Sequence, residues 1–456
     1  MGNNVLAAKG NIPKSSGFEK MIYSIGCVGS NFCWAFVASY VTMYFTDSVG
    51  LSASIAGMIL LVSRLLDGIS DILCAWMFKK VHFKSGNRIR PWFLISAPML
   101  GVSMLVLFRV PAGLSQAGKD LYALISYAFM VAVAYTIFCL AQSAIVTLIS
   151  YDPSDRAKVT ACGFAILNMS GILINFLTPT VLLANGGASN QRGWSIISLI
   201  YAIISTVFIM SMGFFLKEKQ PPAGYADEDE EDGKGTDFGR VIKFFLKEKW
   251  TWIILLMHMF GWFIQGLYGI EAYFYRDVLG DLGLQSTLGN VYIVSLVVGI
   301  FLGPVIAGRI GRNRINIIGT IISAIGCFGF IFFASLETIP LFVVCLIMKG
   351  IGYGPFLGSA FVYSSDLSDY ISEKHHVLAA ETASMTSSVG IKIGVGVGAG
   401  IIGVLLDKFG YQPDLIFQSE ATQQGIHMAF SILPLVCNIG LLMCLLLWRL
   451  DKTVQK

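Results

Sequence analysis

Charge is what this sequence has least of. Asp, Glu, Lys and Arg together make up 13% of the 456 residues, about half the share in an ordinary soluble protein. That argues against a water-soluble fold. Histidine is scarce too, with 5 residues, and there is no His-Glu-x-x-His, nucleophile elbow or P-loop, so the chain is read as a non-enzyme. The net charge is only +4 and no basic patch is interleaved with aromatics, which speaks against nucleic acid as a partner. The 9 cysteines lie inside apolar runs without paired metal-ligand spacing and read as small packing residues. The first apolar run has no small-residue cleavage site after it and is expected to stay as a helix, not to leave as a signal peptide.

Apolar residues are abundant: 55% of the chain, with a mean hydropathy of +0.70. They come in runs of roughly 20 to 28 residues, the length a helix needs to cross ~30 Å of hydrocarbon at 1.5 Å per residue. Twelve spans are expected, near 18–46, 51–78, 91–110, 121–151, 159–184, 193–216, 250–275, 288–308, 315–335, 340–364, 378–406 and 424–448. One long hydrophilic stretch, 217–249, holds Pro221, Pro222 and the acidic run Asp227 to Asp232. The expected fold is therefore an all-α polytopic membrane protein. Its twelve transmembrane helices form two pseudo-symmetric six-helix bundles, 1–216 and 250–456, joined by a linker at 217–249. Within the linker, Phe238 to Lys247 reads as an amphipathic helix on the inner leaflet. Lys and Arg concentrate in the termini and the even-numbered loops, so both termini are expected to be cytoplasmic. Short basic loops recur after spans 2 and 8, Lys79 to Arg90 and Gly308 to Arg314, as an internal repeat would have them. Two such halves suit alternating access around a mid-membrane site.

Ionisable groups at membrane depth are the informative positions, since each costs ~2.5 to 3.5 kcal/mol at a helix centre. Arg64, Asp67, Asp71, Glu271, Lys349 and Lys392 stand out. Asp67 and Asp71 are one helical turn apart, and two like charges so close, away from water, call for a cation or proton between them. Oxygen ligands suit a small hard cation such as sodium, and Ser70 adds a hydroxyl nearby. The alternative is a structural cluster in which Arg64 offsets one acid. Lys392 interrupts a glycine-rich span, Gly390 to Gly398, whose glycines read as helix packing. From there its ammonium is expected to reach a span 2 carboxylate. Lys349 either faces inward or snorkels to the surface. Glu271 is either interfacial or a solute ligand. His258 reads as a packing residue, and the sequon at Asn168 falls inside a span, where glycosylation is physically excluded.

An ordered series of motifs resembles one family. Tyr40 to Ala53, Ser63 to Asp71 and Arg90-Pro91-Trp92 begin it; Ala134-Tyr135-Thr136, Asp152 to Arg156, Tyr273-Phe274-Tyr275, Ser365 to Tyr370 (expected after span 10) and Lys392 continue it. Together they resemble the glycoside-pentoside-hexuronide:cation symporters of the major facilitator superfamily, which include melibiose permease. The resemblance implies a coupling-cation site at Asp67, Ser70, Asp71 and Thr136, with Arg64 and Lys392 in coupling. The family's sugar-binding carboxylates do not carry over: Asn31 and Cys139 stand in their places, with Ser143 for a tryptophan and Phe164 for an arginine.

The expected function is sodium- or proton-coupled symport of a glycoside, hexuronide or similar solute, with no cofactor beyond the coupling ion, by a monomer in a bacterial-type cell membrane. A lipid or amphiphile transporter on the same scaffold and a transport-inactive sensor are the competing readings. Asn31, Trp34, Tyr135, Gln142, Lys349 and Lys392 form the candidate solute site. Counting buried charges with a cation bound leaves one positive in excess, which favours an anionic solute with Lys349 as its partner.

Overall fold

The computed structural model describes residues 13–81, 83, 87–219, 244–375, 380–413, 415 and 417–450. The acidic run and most of the amphipathic segment lie outside these residues; of the latter, 244–247 are helical. Regular structure among the described residues is helical throughout, in twelve long elements. The first half holds α1 (Gly17–Val49), α2 (Ala53–Lys80), α3 (Arg90–Leu107), α4 (Gln116–Ile149), α5 (Pro153–Ala184) and α6 (Gln191–Phe215). The second half holds α7 (Lys249–Val278), α8 (Gln285–Ile310), α9 (Arg312–Phe333), α10 (Ile339–His375), α11 (Ala380–Lys408) and α12 (Glu420–Leu447).

Local chemistry starts these helices where serine precedes them. Ser16 and Glu19 form a reciprocal capping box on α1, and Ser52, Ser115 and Ser419 accept backbone N–H groups at the starts of α2, α4 and α12. The α3 start is capped from a distance: the Glu218 carboxylate accepts the N–H groups of Arg88, Ile89 and Arg90 at 2.7 to 2.8 Å. Among the described residues, eleven helices are apolar enough as well as long enough to cross a membrane. The remaining helix, α2, also has the length, at 28 residues, and it carries Arg64, Asp67 and Asp71.

The sequence boundary for span 10 needs correction. Ser365 to Tyr370 do not follow the helix but lie within α10, which runs to His375. Hydropathy marks where hydrocarbon ends; a helix continues beyond it wherever its polar groups are hydrated.

Between the halves, α2 packs on α11 and α5 on α8, the exchange expected of a pseudo-two-fold axis. The first helices of each half carry the same signature at their ends. Both α1 and α7 finish in a π-helical turn, Tyr44–Val49 and Phe274–Val278, followed by a left-handed glycine, Gly50 (φ 80°) and Gly280 (φ 75°). The same backbone bond closes each: Leu51 N–H to Phe45 O at 2.9 Å, and Asp281 N–H to Tyr275 O at 3.0 Å.

Glycine spacing sets the approach of α11 to α7. A Cβ on Gly390 would come within 2.5 Å of Leu255 O, and one on Gly398 within 2.7 Å of Phe263 O, so only hydrogen fits on this stripe. The other glycine face of α11 packs on α2, where Gly396 lies against Arg64 and Gly400 against Leu61.

Candidate functional site

The charged residues of α2 and α11 meet at mid-membrane. Lys392 Nζ lies 2.5 Å from Asp71 Oδ2, 3.3 Å from Asp67 Oδ2 and 2.8 Å from the Asp67 carbonyl, to which it donates. The other Asp67 oxygen accepts the Thr136 hydroxyl at 2.6 Å. Thr136 is carried there by α4, whose π-helical turn Phe129–Tyr135 ends immediately before it and leaves its hydroxyl 3.1 Å from Val131 O. Ser70 points elsewhere: its hydroxyl donates back to Asp67 O at 2.9 Å. Arg64 is not the counter-charge of the pair. Its guanidinium sits 4.0 Å over the Trp34 ring and 3.4 Å from the Tyr127 hydroxyl, and its buried Nε has no hydrogen-bond partner among the described residues.

A cavity of about 850 Å³ opens beside this cluster, bounded by Trp34, Tyr135, Trp262, Asp71 and Lys392 and running along α10 past Ser364 to Asp369. It extends toward the face that carries the termini. The opposite face is sealed. There Arg276 of α7 pairs with Asp47 of α1, with its neighbour Asp277 and with the Tyr411 hydroxyl, while Tyr411 also donates to Asp47 at 2.8 Å. Thr46 and Tyr273 add a hydroxyl contact at 2.7 Å.

A smaller cavity of about 240 Å³ continues inward from the first, sharing Trp34, Tyr135, Trp262, Gln265 and Phe361 with it and adding Asn31 and Glu271. Trp34 and Tyr135 stack at 5.0 Å. Asn31 is already engaged, donating to Leu167 O and Ser170 Oγ at 2.9 Å. Gln142 lines neither cavity and lies 2.9 Å from Cys27 Sγ. Lys349 neither snorkels nor lines either of these two cavities: it is 3% exposed, 3.7 Å from Glu271 Oε1 and 4.5 Å from the Tyr292 ring centroid. The geometry thus gathers Trp34, Tyr135, Asp67, Asp71 and Lys392 and leaves Gln142 and Lys349 behind the walls. Trp262, Gln265 and Phe361 are cavity residues that no charge or motif singles out in the sequence.

Among the described residues no three His, Cys, Asp or Glu side chains are grouped as a metal-holding cluster. The arrangement is a partly exposed ion pair between the two halves, beside a polar-aromatic cavity with contacts tying the halves together on the opposite face. That is the equipment of a carrier.

Known proteins resemble the chain along its whole length. The isoprimeverose transporter of Lactiplantibacillus pentosus is 25% identical over 443 residues, covering 96% of this chain and 90% of its own. A glucuronide carrier protein homolog of Escherichia coli strain K12 is 23% identical, covering 95% and 92%. Among solved structures, a D-xylose-proton symporter superposes with a TM-score of 0.66 at 14% identity, covering 93% of this chain and 97% of that one. A bacterial homolog of the human lysosomal transporter Spinster gives 0.68 at 15%, covering 94% and 98%. These likenesses, with the twelve helices, show the major facilitator fold. A family model described as MFS/sugar transport protein matches residues 22–452, and the chain belongs to that family of transporters.

Proposed function

We propose that the protein takes up a sugar-like solute together with a sodium ion or a proton, by alternating access of two halves, 1–216 and 250–456, joined by the 217–249 linker. The observation that carries this reading is Lys392 Nζ shared between Asp67 and Asp71 beside the larger cavity. Without a coupling ion, the ammonium offsets one of the two negative charges of the paired acids. A sodium ion or proton arriving from outside competes for the same carboxylates, with Thr136 as a further oxygen, and releases Lys392. Since Lys392 belongs to the second half and the acids to the first, that release loosens the α2 and α11 contact and links ion binding to the motion of the halves. The gradient then drives uptake, with about 2.3 kcal/mol available per charge per 100 mV. The excess of Lys and Arg on the terminal face supports a cytoplasmic placement of both ends.

The name of the isoprimeverose relative, and those of the other sugar carriers, support a glycoside as solute over a lipid. The test begins with thermal stabilisation of purified protein by sugars, glucuronides and lysolipids, with and without sodium. The best ligand is then followed into proteoliposomes under a sodium or a proton gradient. Accumulation that collapses with one gradient is expected and names the ion. Binding without flux would overturn the transport reading in favour of a sensor, and stabilisation by lysolipids alone would do so in favour of an amphiphile carrier.

A further inference from the structure

The inner cavity holds an unexplained charge. Glu271 lines it with its side chain 15% exposed, and among the described residues no donor lies within hydrogen-bond distance of its carboxylate; its one charged partner is Lys349, 3.7 Å away. A carboxylate accepts several hydrogen bonds, and one turned toward a cavity keeps lone pairs free for donors that enter it. Lys349 lies on the far side, enclosed by the rings of Tyr292, Phe330 and Phe430 at 4.5, 5.7 and 5.9 Å from their centroids, and it lines neither cavity. The pair is thus one-sided, its cation in the wall and its anion at the cavity.

The helix that presents Glu271 is broken where presentation requires it. Its regular part ends at Gly266, and at Leu267 the backbone tightens, with Leu267 N–H near both Phe263 O and Ile264 O (3.2 and 3.3 Å) and Ile270 N–H bonding Leu267 O at 3.0 Å. Trp262, Gln265, Tyr268 and Glu271, three residues apart along this break, all border the inner cavity. Interrupted helices at mid-membrane are where carriers place solute groups. The Gln265 amide likewise has no hydrogen-bond partner among the described residues.

Resting on the reading of the chain as a sugar-like solute carrier, we propose that Glu271 is the hydroxyl-binding carboxylate of the solute site, with Lys349 as the residue that positions it, and that the site selects an uncharged sugar ring over an anionic one. Ring hydroxyls would donate to Glu271 and exchange with the Gln265 amide, while Trp262 and Trp34 cover the ring's apolar faces. At about 240 Å³ the inner cavity is below the usual range for a whole ligand, so it takes one ring, and the remainder of a glycoside extends into the larger cavity. A uronate would bring its negative charge toward Glu271. This reverses the preference for an anionic solute drawn from counting charges, because the positive member of the pair, Lys349, is out of reach.

The experiment compares binding of methyl β-xyloside, methyl β-glucoside and methyl β-glucuronide to purified full-length protein by calorimetry, in the parent, Glu271→Gln, and the Glu271→Gln/Lys349→Met double variant. The parent is expected to bind the neutral glycosides at least tenfold tighter than the glucuronide. Glu271→Gln should weaken neutral binding by about 10- to 100-fold, the worth of a hydrogen bond to a charged group, and narrow the neutral-to-uronide ratio. The double variant removes the stranded ammonium. It should recover the thermal stability lost in the single variant without recovering affinity. Recovery of both, or a parent that favours the glucuronide, would overturn the assignment of Glu271. No binding of any glycoside by the parent would instead overturn the sugar-carrier reading on which it rests.

Discussion

At the scale of single residues, the contacts around Asp67 rank what each substitution should do. Asp67→Asn or Asp71→Asn removes a charge that Lys392 now answers, and each should abolish gradient-driven accumulation in proteoliposomes; accumulation at the parent level in both would exclude the pair as the coupling site. Thr136 touches an Asp67 carboxylate oxygen at 2.6 Å whereas Ser70 bonds only the backbone, so Thr136→Val should weaken cation affinity more than Ser70→Ala does. Stabilisation by sodium at constant ionic strength checks the order. Lys392→Ala leaves two acids facing each other and should make the protein more dependent on sodium, or on low pH, for thermal stability; unchanged dependence would make Lys392 a packing residue. The acids and the lysine are legible in the sequence because a charge inside an apolar run has few explanations. Gln265 is not legible, because neutral amides recur in membrane helices without consequence. Nor is the position of Lys349, since depth along a helix does not say which way a side chain turns.

At the scale of elements, the α7 and α11 seam depends on hydrogen at its glycines. Gly398→Val would drive a side chain into Phe263 O and should destabilise the protein by about 1 to 3 kcal/mol or more, read as a lower unfolding temperature in detergent. Gly410→Ala, in the turn after α11 with φ 72°, tests strain without packing, since nothing lies near its Cβ position. It should cost less, of order 1 kcal/mol. The number of helices can be read from apolar run lengths, and α2 is recognisable as a span despite its charges. The length of α10 cannot be read this way, because its last turns are polar and hydropathy reports the solvent of a helix, not its continuity. The π-helical turns of α1, α4 and α7 also escape, since adding one residue to one turn leaves too short a trace in the periodicity.

At the scale of the whole molecule, the two halves can be anticipated from the polar linker and the paired basic loops. The matching ends of α1 and α7 are visible as Asp47 to Gly50 and Asp277 to Gly280 once the structure aligns them, yet are too short to register as a repeat beforehand. They meet across the sealed face, so Arg276→Gln should loosen that seal. A membrane-impermeant thiol reagent on the side opposite the termini should then label Cys139, which lines the larger cavity, faster than in the parent, with Cys139→Ser as the control. Unchanged labelling would mean that the Asp47 and Arg276 contact does not hold the face shut. The charge arrangement in the core has an electrical meaning as well. Arg64, Lys349 and Lys392 balance Asp67, Asp71 and Glu271, so the empty carrier reorients as a neutral body, insensitive to voltage, and the loaded one moves whatever charge its cargo brings. With a neutral glycoside and one cation, each turnover should register as a single inward positive charge on a supported-membrane electrode. With a uronide and one cation it should be silent, so the current alone reveals the charge of the solute.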